Sequence, residues 1–287
     1  MRLIRFLQRP PIVDSLLVKL DEKRLMKFYL GTNWKMHRTN TEARQFVAEF
    51  LPLVRELDLS SHYLFVIPSF TSIQIVRDAV TASGLPLKVG AQNVHWENGV
   101  EATGEISARI LADIPVDLVE IGHSERRRKF GETDTDVNRK ARAVLDHDLK
   151  ALICIGESRA EKEQGFGTQA LEKQVREGLE GIPRKALSKV MLAYEPTWAI
   201  GVAGQPADPS YVQEKHAGIR EVLTSMYSAK IAAEVPLLFG GSVNHQNFRS
   251  YAEIVNVDGL FVGRAAWDPE SFIELIKISR CMNASLS

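Results

Sequence analysis

Apolar residues recur along this chain in two alternating rhythms. Runs at 28–32, 64–67, 87–91, 118–121, 151–155, 190–194, 237–239 and 260–262 are short, nearly unbroken and often β-branched. That is the pattern of parallel strands buried on both faces. Between them, segments such as 41–57, 133–148, 171–179, 209–227 and 272–279 space their apolar residues three and four apart. In the first of these, Phe46, Phe50, Leu53, Val54 and Leu57 alternate with charges, which predicts an amphipathic helix. Asp208 followed by Pro209 supplies a cap and a first-turn proline for another.

Eight strand–helix units from residue 28 onward predict an α/β chain closed into a single-domain (β/α)8 barrel over residues 26–287, a fold of ~250 residues. An open doubly wound sheet competes for any such alternation. It would usually bring a glycine-rich turn after the first strand, where Asn33-Trp34-Lys35 stands instead. The polar motifs also follow the first, fourth, sixth, seventh and eighth predicted strands, and only a closed ring brings those strand ends to one rim.

Composition narrows the function classes. Acidic and basic residues balance at 36 each, so charge gives no reason to expect nucleic acid or a membrane as partner. No apolar run approaches the ~20 residues of a membrane span. Cys154 and Cys281 are too few for a disulfide framework and carry no metal-ligand spacing, so a cytoplasmic, reducing setting and no metal are expected. Residues 1–25 are basic on balance but are interrupted by Pro10-Pro11 and contain Asp14, Asp21 and Glu22, unlike a targeting peptide. They are expected to be a dispensable extension, because Met26 opens directly into the first strand.

The chemistry sits in five stretches: Asn33-Trp34-Lys35-Met36, Gly122-His123-Ser124-Glu125-Arg126-Arg127, Ala193-Tyr194-Glu195-Pro196 running into Trp198-Ala199-Ile200-Gly201, Gly240-Gly241-Ser242-Val243, and Val262-Gly263-Arg264. Together they offer a cation, an imidazole, a carboxylate and small residues whose backbone N–H groups can reach an anion. Singly, each has a plainer reading: a solvated strand-end glutamate, a structural histidine, a surface lysine, a common loop. The remaining histidines, including His37, His95 and His216, are read as surface or packing residues.

In this order these motifs, with Gly90-Ala91-Gln92-Asn93, Thr103-Gly104-Glu105-Ile106-Ser107 and Ile153-Cys154-Ile155-Gly156-Glu157, closely resemble the triosephosphate isomerase family from about residue 28 to the last helix. The resemblance implies a TIM barrel and a cofactor-free aldose–ketose isomerase of a short sugar phosphate. It implies Glu195 as the base, His123 as a neutral electrophile whose pKa is depressed at a helix start, Lys35 with Asn33 as charge and orientation, and Glu125 as a helper carboxylate. Phosphate recognition would fall to Gly201, Ser242, Gly263 and Arg264. Pro196, Trp198, Ala199, Ile200 and Pro206 would belong to a lid that closes over the intermediate. A homodimer is implied, with Thr103 of a long loop approaching the neighbour's Asn33–Lys35 region.

Two departures stand out. Where the family latches the lid with a backbone N–H on a tyrosine hydroxyl, this chain has Pro206 and Phe239, so donor and acceptor have gone together and neither is left unpaired. Arg264 replaces a common second glycine. These features, with Gly263-Arg264-Ala265-Ala266-Trp267, also resemble a branch acting on four-carbon ketose phosphates such as L-erythrulose 1-phosphate. The first expectation is interconversion of dihydroxyacetone phosphate and D-glyceraldehyde 3-phosphate; the four-carbon reaction is the alternative. A non-catalytic sugar-phosphate-binding barrel is the remote one.

Overall fold

The computed structural model of the chain describes residues 27–201 and 204–284. The proposed extension at 1–25, and Val202 and Ala203 of the expected lid, lie outside the described residues. Eight strands, β1 (Phe28–Asn33), β2 (His62–Ile67), β3 (Lys88–Ala91), β4 (Leu118–Ile121), β5 (Lys150–Ile155), β6 (Val190–Tyr194), β7 (Leu237–Phe239) and β8 (Gly259–Val262), pair in sequence order. The ring is parallel throughout and closes where Leu30 of β1 registers with Leu260 of β8. Around it run α1 (Asn40–Arg55), α2 (Ile73–Ser83), α3 (Ala108–Asp113), α4 (Ser124–Phe130), α5 (Asp134–Asp146), α6 (Arg159–Glu163), α7 (Gly167–Gly178), α8 (Pro209–Met226), α9 (Ala229–Glu234), α10 (Phe248–Ala252) and α11 (Pro269–Ala284). The fold is a single-domain (β/α)8 TIM barrel.

Strand alternation splits the apolar core in two. On β2, Leu64 and Val66 join the layer between strands and helices, while Tyr63, Phe65 and Ile67 fill the barrel with Leu118, Leu152, Met191, Leu238 and Phe261. Gly31 makes room for this filling, since a Cβ there would lie 2.2 Å from the Phe65 ring. The outer layer is typified by α1. A Thr39–Glu42 capping box starts it, and Ala43, Phe46, Val47, Phe50, Leu51 and Val54 form its buried face. Phe50 stacks on Phe272 of α11 at 5.1 Å. Leu53, expected on that face, is 37% exposed: at 3.6 residues per turn, Val47 and Leu51 flank the Phe46–Phe50–Val54 ridge, and Leu53 falls outside it.

Candidate active site

The loop after β1 is pinned on several sides. Trp34 is fully buried against Phe46, with ring centroids 4.8 Å apart, and its backbone N–H donates to the Ile67 carbonyl. The Trp267 indole N–H donates to the Asn33 carbonyl at 2.8 Å, and the Gln92 amide donates to the Lys35 carbonyl at 2.9 Å. These contacts hold Lys35 at φ +53°, a left-handed conformation uncommon for a side-chain-bearing residue. Asn33 Oδ1 accepts the Lys35 backbone N–H at 2.6 Å, which satisfies the turn internally. Lys35 Nζ then reaches across to Glu125 Oε1 at 2.7 Å.

His123 follows β4 by two residues and caps α4. Gly122 before it takes φ +73°, where a Cβ would meet Val137 at 2.8 Å. The imidazole Nδ1 accepts the backbone N–H of Glu125 at 3.2 Å, which places the ring proton on Nε2. Burial, then the charge of Lys35, pushes the pKa of His123 down to about 4. The ring is therefore a neutral N–H donor near pH 7, and its Nε2 lies 3.6 Å from Glu195 Oε2. The arginines of this motif are structural. Arg126 and Lys140 both bind Glu132 Oε2, whose other oxygen accepts the Gly122 N–H. Arg127 donates to the Gly122 carbonyl and pairs with Asp134.

Glu195 follows β6 and is only 6% exposed. Two glycines seat it: a Cβ on Gly156 would come 2.0 Å from the Glu195 carbonyl oxygen, and one on Gly240 would come 3.0 Å from its Oε1. Burial raises its pKa to about 7, against the opposing charge of Lys35. Oε2 accepts no hydrogen bond among the described residues. A base with a free oxygen, titrating near neutrality, is equipped to take a proton from carbon. Glu125 is held below the ordinary carboxylate range, because the hydrogen bond and charge of Lys35 outweigh its burial.

Glu120, on the inner face of β4, is the carboxylate that sequence reasoning missed. It is fully buried and accepts from Asn33 Nδ2 at 2.5 Å. With His123 and Glu195 it forms a group whose possible ligand atoms all lie within 4.8 Å of one another. As hydrogen-bonded, the imidazole turns an N–H rather than a lone pair toward Glu195, an arrangement suited to hydrogen bonding and not to holding a cation.

These groups share one cleft of about 690 Å3. Asn33, Lys35, His123, Glu125 and Glu195 line it together with Gly201, Ser242, Gly263 and Arg264. Gly201 and Ser242 have positive φ, +88° and +52°, whereas Gly263 is at −85°; a Cβ on Gly263 would meet nothing within 4 Å, so its surface is open to a ligand. His37, Asn244, Phe261 and Trp267 also line the cleft. His37 packs on Trp267 at 4.4 Å, a wall the sequence did not signal. Thr103 is exposed and does not line the cleft.

The expected lid is anchored at both ends. At its start, Glu157 Oε1 accepts from Trp198 Nε1 at 2.9 Å and from the hydroxyls of Tyr194 and Tyr211 at 3.1 Å each. Ser242 Oγ donates to the Ala199 carbonyl at 2.6 Å, and Arg264 Nη2 to the Gly201 carbonyl at 3.2 Å. Beyond Pro206, which lines the cleft, the Tyr251 hydroxyl donates to the Ala207 carbonyl at 2.6 Å. Tyr251 also packs on Phe239 at 4.5 Å. A tyrosine thus meets the lid's end from α10, next to the Phe239 that lacks the hydroxyl.

Known proteins resemble the chain along the same stretches. L-erythrulose-1-phosphate isomerase of Rhizobium etli is 43% identical over 262 residues, 91% of this chain and 96% of that protein. The enzyme of the same name from Rhizobium meliloti is 44% identical over 252 residues, 87% of this chain and 95% of that protein. That from Brucella abortus is 42% identical over 258 residues, 90% and 97% respectively. A family model described as triosephosphate isomerase matches residues 28–279, from β1 into α11 and across every stretch that lines the cleft. The chain belongs to the triosephosphate isomerase family.

Proposed function

We propose that the chain is an isomerase of a four-carbon ketose phosphate, L-erythrulose 1-phosphate, and that it moves the carbonyl to the neighbouring carbon through an enediolate. The observation that carries this reading is the 42–44% identity, over about nine tenths of the chain, to enzymes named for that substrate. The triose reaction, the first expectation from sequence, would use the same acid, base and cation; the relatives' names favour the four-carbon alternative.

In that substrate C2 is the carbonyl and C3 bears one hydrogen, a hydroxyl and a hydroxymethyl group. Glu195 takes the C3 proton while the Nε2–H of His123 donates to the C2 oxygen, giving an enediolate with oxygens on C2 and C3. Shift of the hydroxyl proton between those oxygens and return of the carbon proton to C2 leave the carbonyl on C3. The product is erythrulose 4-phosphate, with no atom gained or lost. The reaction is ketose to ketose, because the hydroxymethyl group stands where a triose has hydrogen. A neutral imidazole suits this role, since it donates strongly to developing charge without surrendering its proton outright, the device for which this family is the standard example. Lys35 balances the enediolate charge and Asn33 orients the substrate oxygens. Backbone N–H groups of Gly201, Ser242 and Gly263, with Arg264, hold the phosphate at the other end. The lid over the cleft excludes water, which would otherwise screen those charges. All the acid–base groups come from the chain, so the chemistry requires no cofactor.

A homodimer belongs to this reading. Met36, beside Lys35, is 96% exposed, and Val100 and Thr103 are exposed on the 93–107 loop, whose base is zipped by a His95–Ser107 bridge. A second copy would cover them. No helix among the described residues is long and apolar enough to cross a membrane, and Cys154 is a buried free thiol; a reducing cytosol fits.

The test is kcat/KM for L-erythrulose 1-phosphate against dihydroxyacetone phosphate, with Glu195→Gln as the inactive control. Preference for the triose by more than about a hundredfold would restore the triose reading, since one methylene-sized group ordinarily changes discrimination by only ~10–200-fold. Turnover of neither by the intact enzyme would leave a binding barrel.

A further inference from the structure

Glu120 has no part in the proton transfer, yet it lies fully buried beneath the groups that carry it. A carboxylate inside a barrel strand is costly unless it is paired or un-ionised, and no cation bonds it among the described residues. What faces it is Asn33 from β1, whose Nδ2 donates to Oε2 at 2.5 Å, and Cys154 from β5, whose thiol lies 3.6 Å from Oε1. Around these stand His123 and Glu195, with possible ligand atoms of all three within 4.8 Å. Lys35 and Glu125 act on Glu120 through charge alone and in opposite directions. Two ionised carboxylates cannot share so small and dry a space, and Glu195 is the one that the cleft reaches.

We propose that Glu120 is a positioning residue that works as an un-ionised carboxylic acid. Its Oε2 fixes the amide plane of Asn33, and its lack of charge leaves Glu195 the one ionised carboxylate of the buried Glu120–His123–Glu195 group. The Asn33 amide is thereby gripped at both ends. Oδ1 takes the Lys35 N–H and Nδ2 gives one proton to Glu120, leaving the second N–H for the cleft that Asn33 lines. Fixing that plane fixes which oxygen of the substrate Asn33 can meet. Burial, and then the neighbouring charge of Glu195, hold the proton on Glu120 well above the ordinary carboxylate range, in agreement with the geometry.

The kinetic arm of the test rests on the isomerase reading; the spectroscopic arm does not. Infrared difference spectra of the unliganded protein at about pH 9, where Glu195 is ionised, should contain the carbonyl stretch of a protonated carboxylic acid that is absent in Glu120→Gln. Glutamine keeps an acceptor for Asn33 Nδ2, so Glu120→Gln should retain kcat within about threefold and leave the pH midpoint of Glu195 in place. Glu120→Val removes the acceptor and should lower kcat on the order of a hundredfold, the scale of a small misplacement of a positioning group, with affinity for inorganic phosphate unchanged. Three results would overturn the proposal: no acid band lost in Glu120→Gln, a fall of the Glu195 midpoint by a pH unit or more in that variant, or wild-type kcat in Glu120→Val. Should the valine variant not fold, the glutamine variant and the spectrum decide alone. Should the wild type turn over neither ketose phosphate, the spectrum still tests the charge state of Glu120.

Discussion

A carboxylate buried for the proposed proton transfer should cost the fold stability, and Glu195→Gln measures how much. The carboxyl is 6% exposed, and burial raises its pKa from 4.5 to about 7. The folded protein thus binds this proton more tightly than the unfolded chain does. The resulting stability is fully present below pH 4.5 and is lost as pH rises through about 7. At about 1.4 kcal/mol per tenfold difference in proton affinity, the complete loss is about 3 kcal/mol. Glutamine has the same shape and no such titration. The stability of Glu195→Gln relative to wild type should therefore rise by about 2 kcal/mol between about pH 5.5 and pH 8.5. The assay is urea unfolding of both proteins at one protein concentration, because association would otherwise contribute. Heating should show the same trend, with a relative gain on the order of 5 °C. A stability gap that stays level or shrinks across that window would refute the claim that the folded site resists ionisation of Glu195.

The same titration should govern turnover: kcat/KM should climb about tenfold per pH unit below about 7, as Glu195 ionises. No limb from His123 should appear above about pH 5, since its pKa is near 4; a protonation of His123 seen by NMR near pH 6.5 would contradict the neutral-ring assignment. Tyr251→Phe removes the hydroxyl bound to Ala207, and Arg264→Gly removes the donor to Gly201. Each should speed proteolytic cleavage in the expected lid and lower kcat/KM by about three- to tenfold, the net worth of one hydrogen bond; unchanged cleavage in both would remove them as latches. Deleting residues 1–25, which precede the family match at 28–279, should leave kcat/KM unchanged, and a large loss in activity or yield would show that the extension is needed.

Most of the barrel was legible because parallel strands covered on both sides leave continuous apolar runs, and each of the eight appears where such a run stands. The helices read from sequence, α1, α5, α7, α8 and α11, are long enough to repeat their apolar spacing; α2, with Ile73, Val76 and Val80 buried over 11 residues, carries the same signal and was not among them. Helices of five or six residues, such as α3, α6, α9 and α10, complete too few turns for any period to show. The candidate site residues that share the cleft stood out for a different reason: unusual polar residues in fixed company at strand ends. Their convergence in one cleft follows from ring closure, which carries residues 33 and 264 to the same rim. Arg264 could be placed near the cleft, but its hydrogen bond to Gly201 spans 63 residues and leaves no trace in the spacing. Tyr251 was missed for the same reason, since its partner is a backbone carbonyl 44 residues away. Glu120 did leave a signal: an acid in the middle of Leu118–Ile121, an otherwise apolar strand. A charge with no solvent-facing side needs an explanation, and that alone could have marked it.

Proline at 206, phenylalanine at 239 and the contacts of Tyr251 and Arg264 belong together physically. Proline at 206 offers no N–H, so a hydroxyl at 239 would have been buried without that partner beside Tyr194 and Tyr251, a penalty that phenylalanine avoids. The side-chain hydrogen bonds to the expected lid and its end then fall on carbonyls, at Ala199, Gly201 and Ala207. The Ala199 N–H donates to the Pro196 carbonyl, so a lid held by its carbonyls leaves the N–H groups of Ile200 and Gly201 for an anion. It also places the guanidinium of Arg264 at the same edge, where a phosphate dianion would compete with the Gly201 carbonyl for its protons. The charged oxygen makes the stronger hydrogen bond, so the proposed function predicts that phosphate binding and lid position are coupled through Arg264.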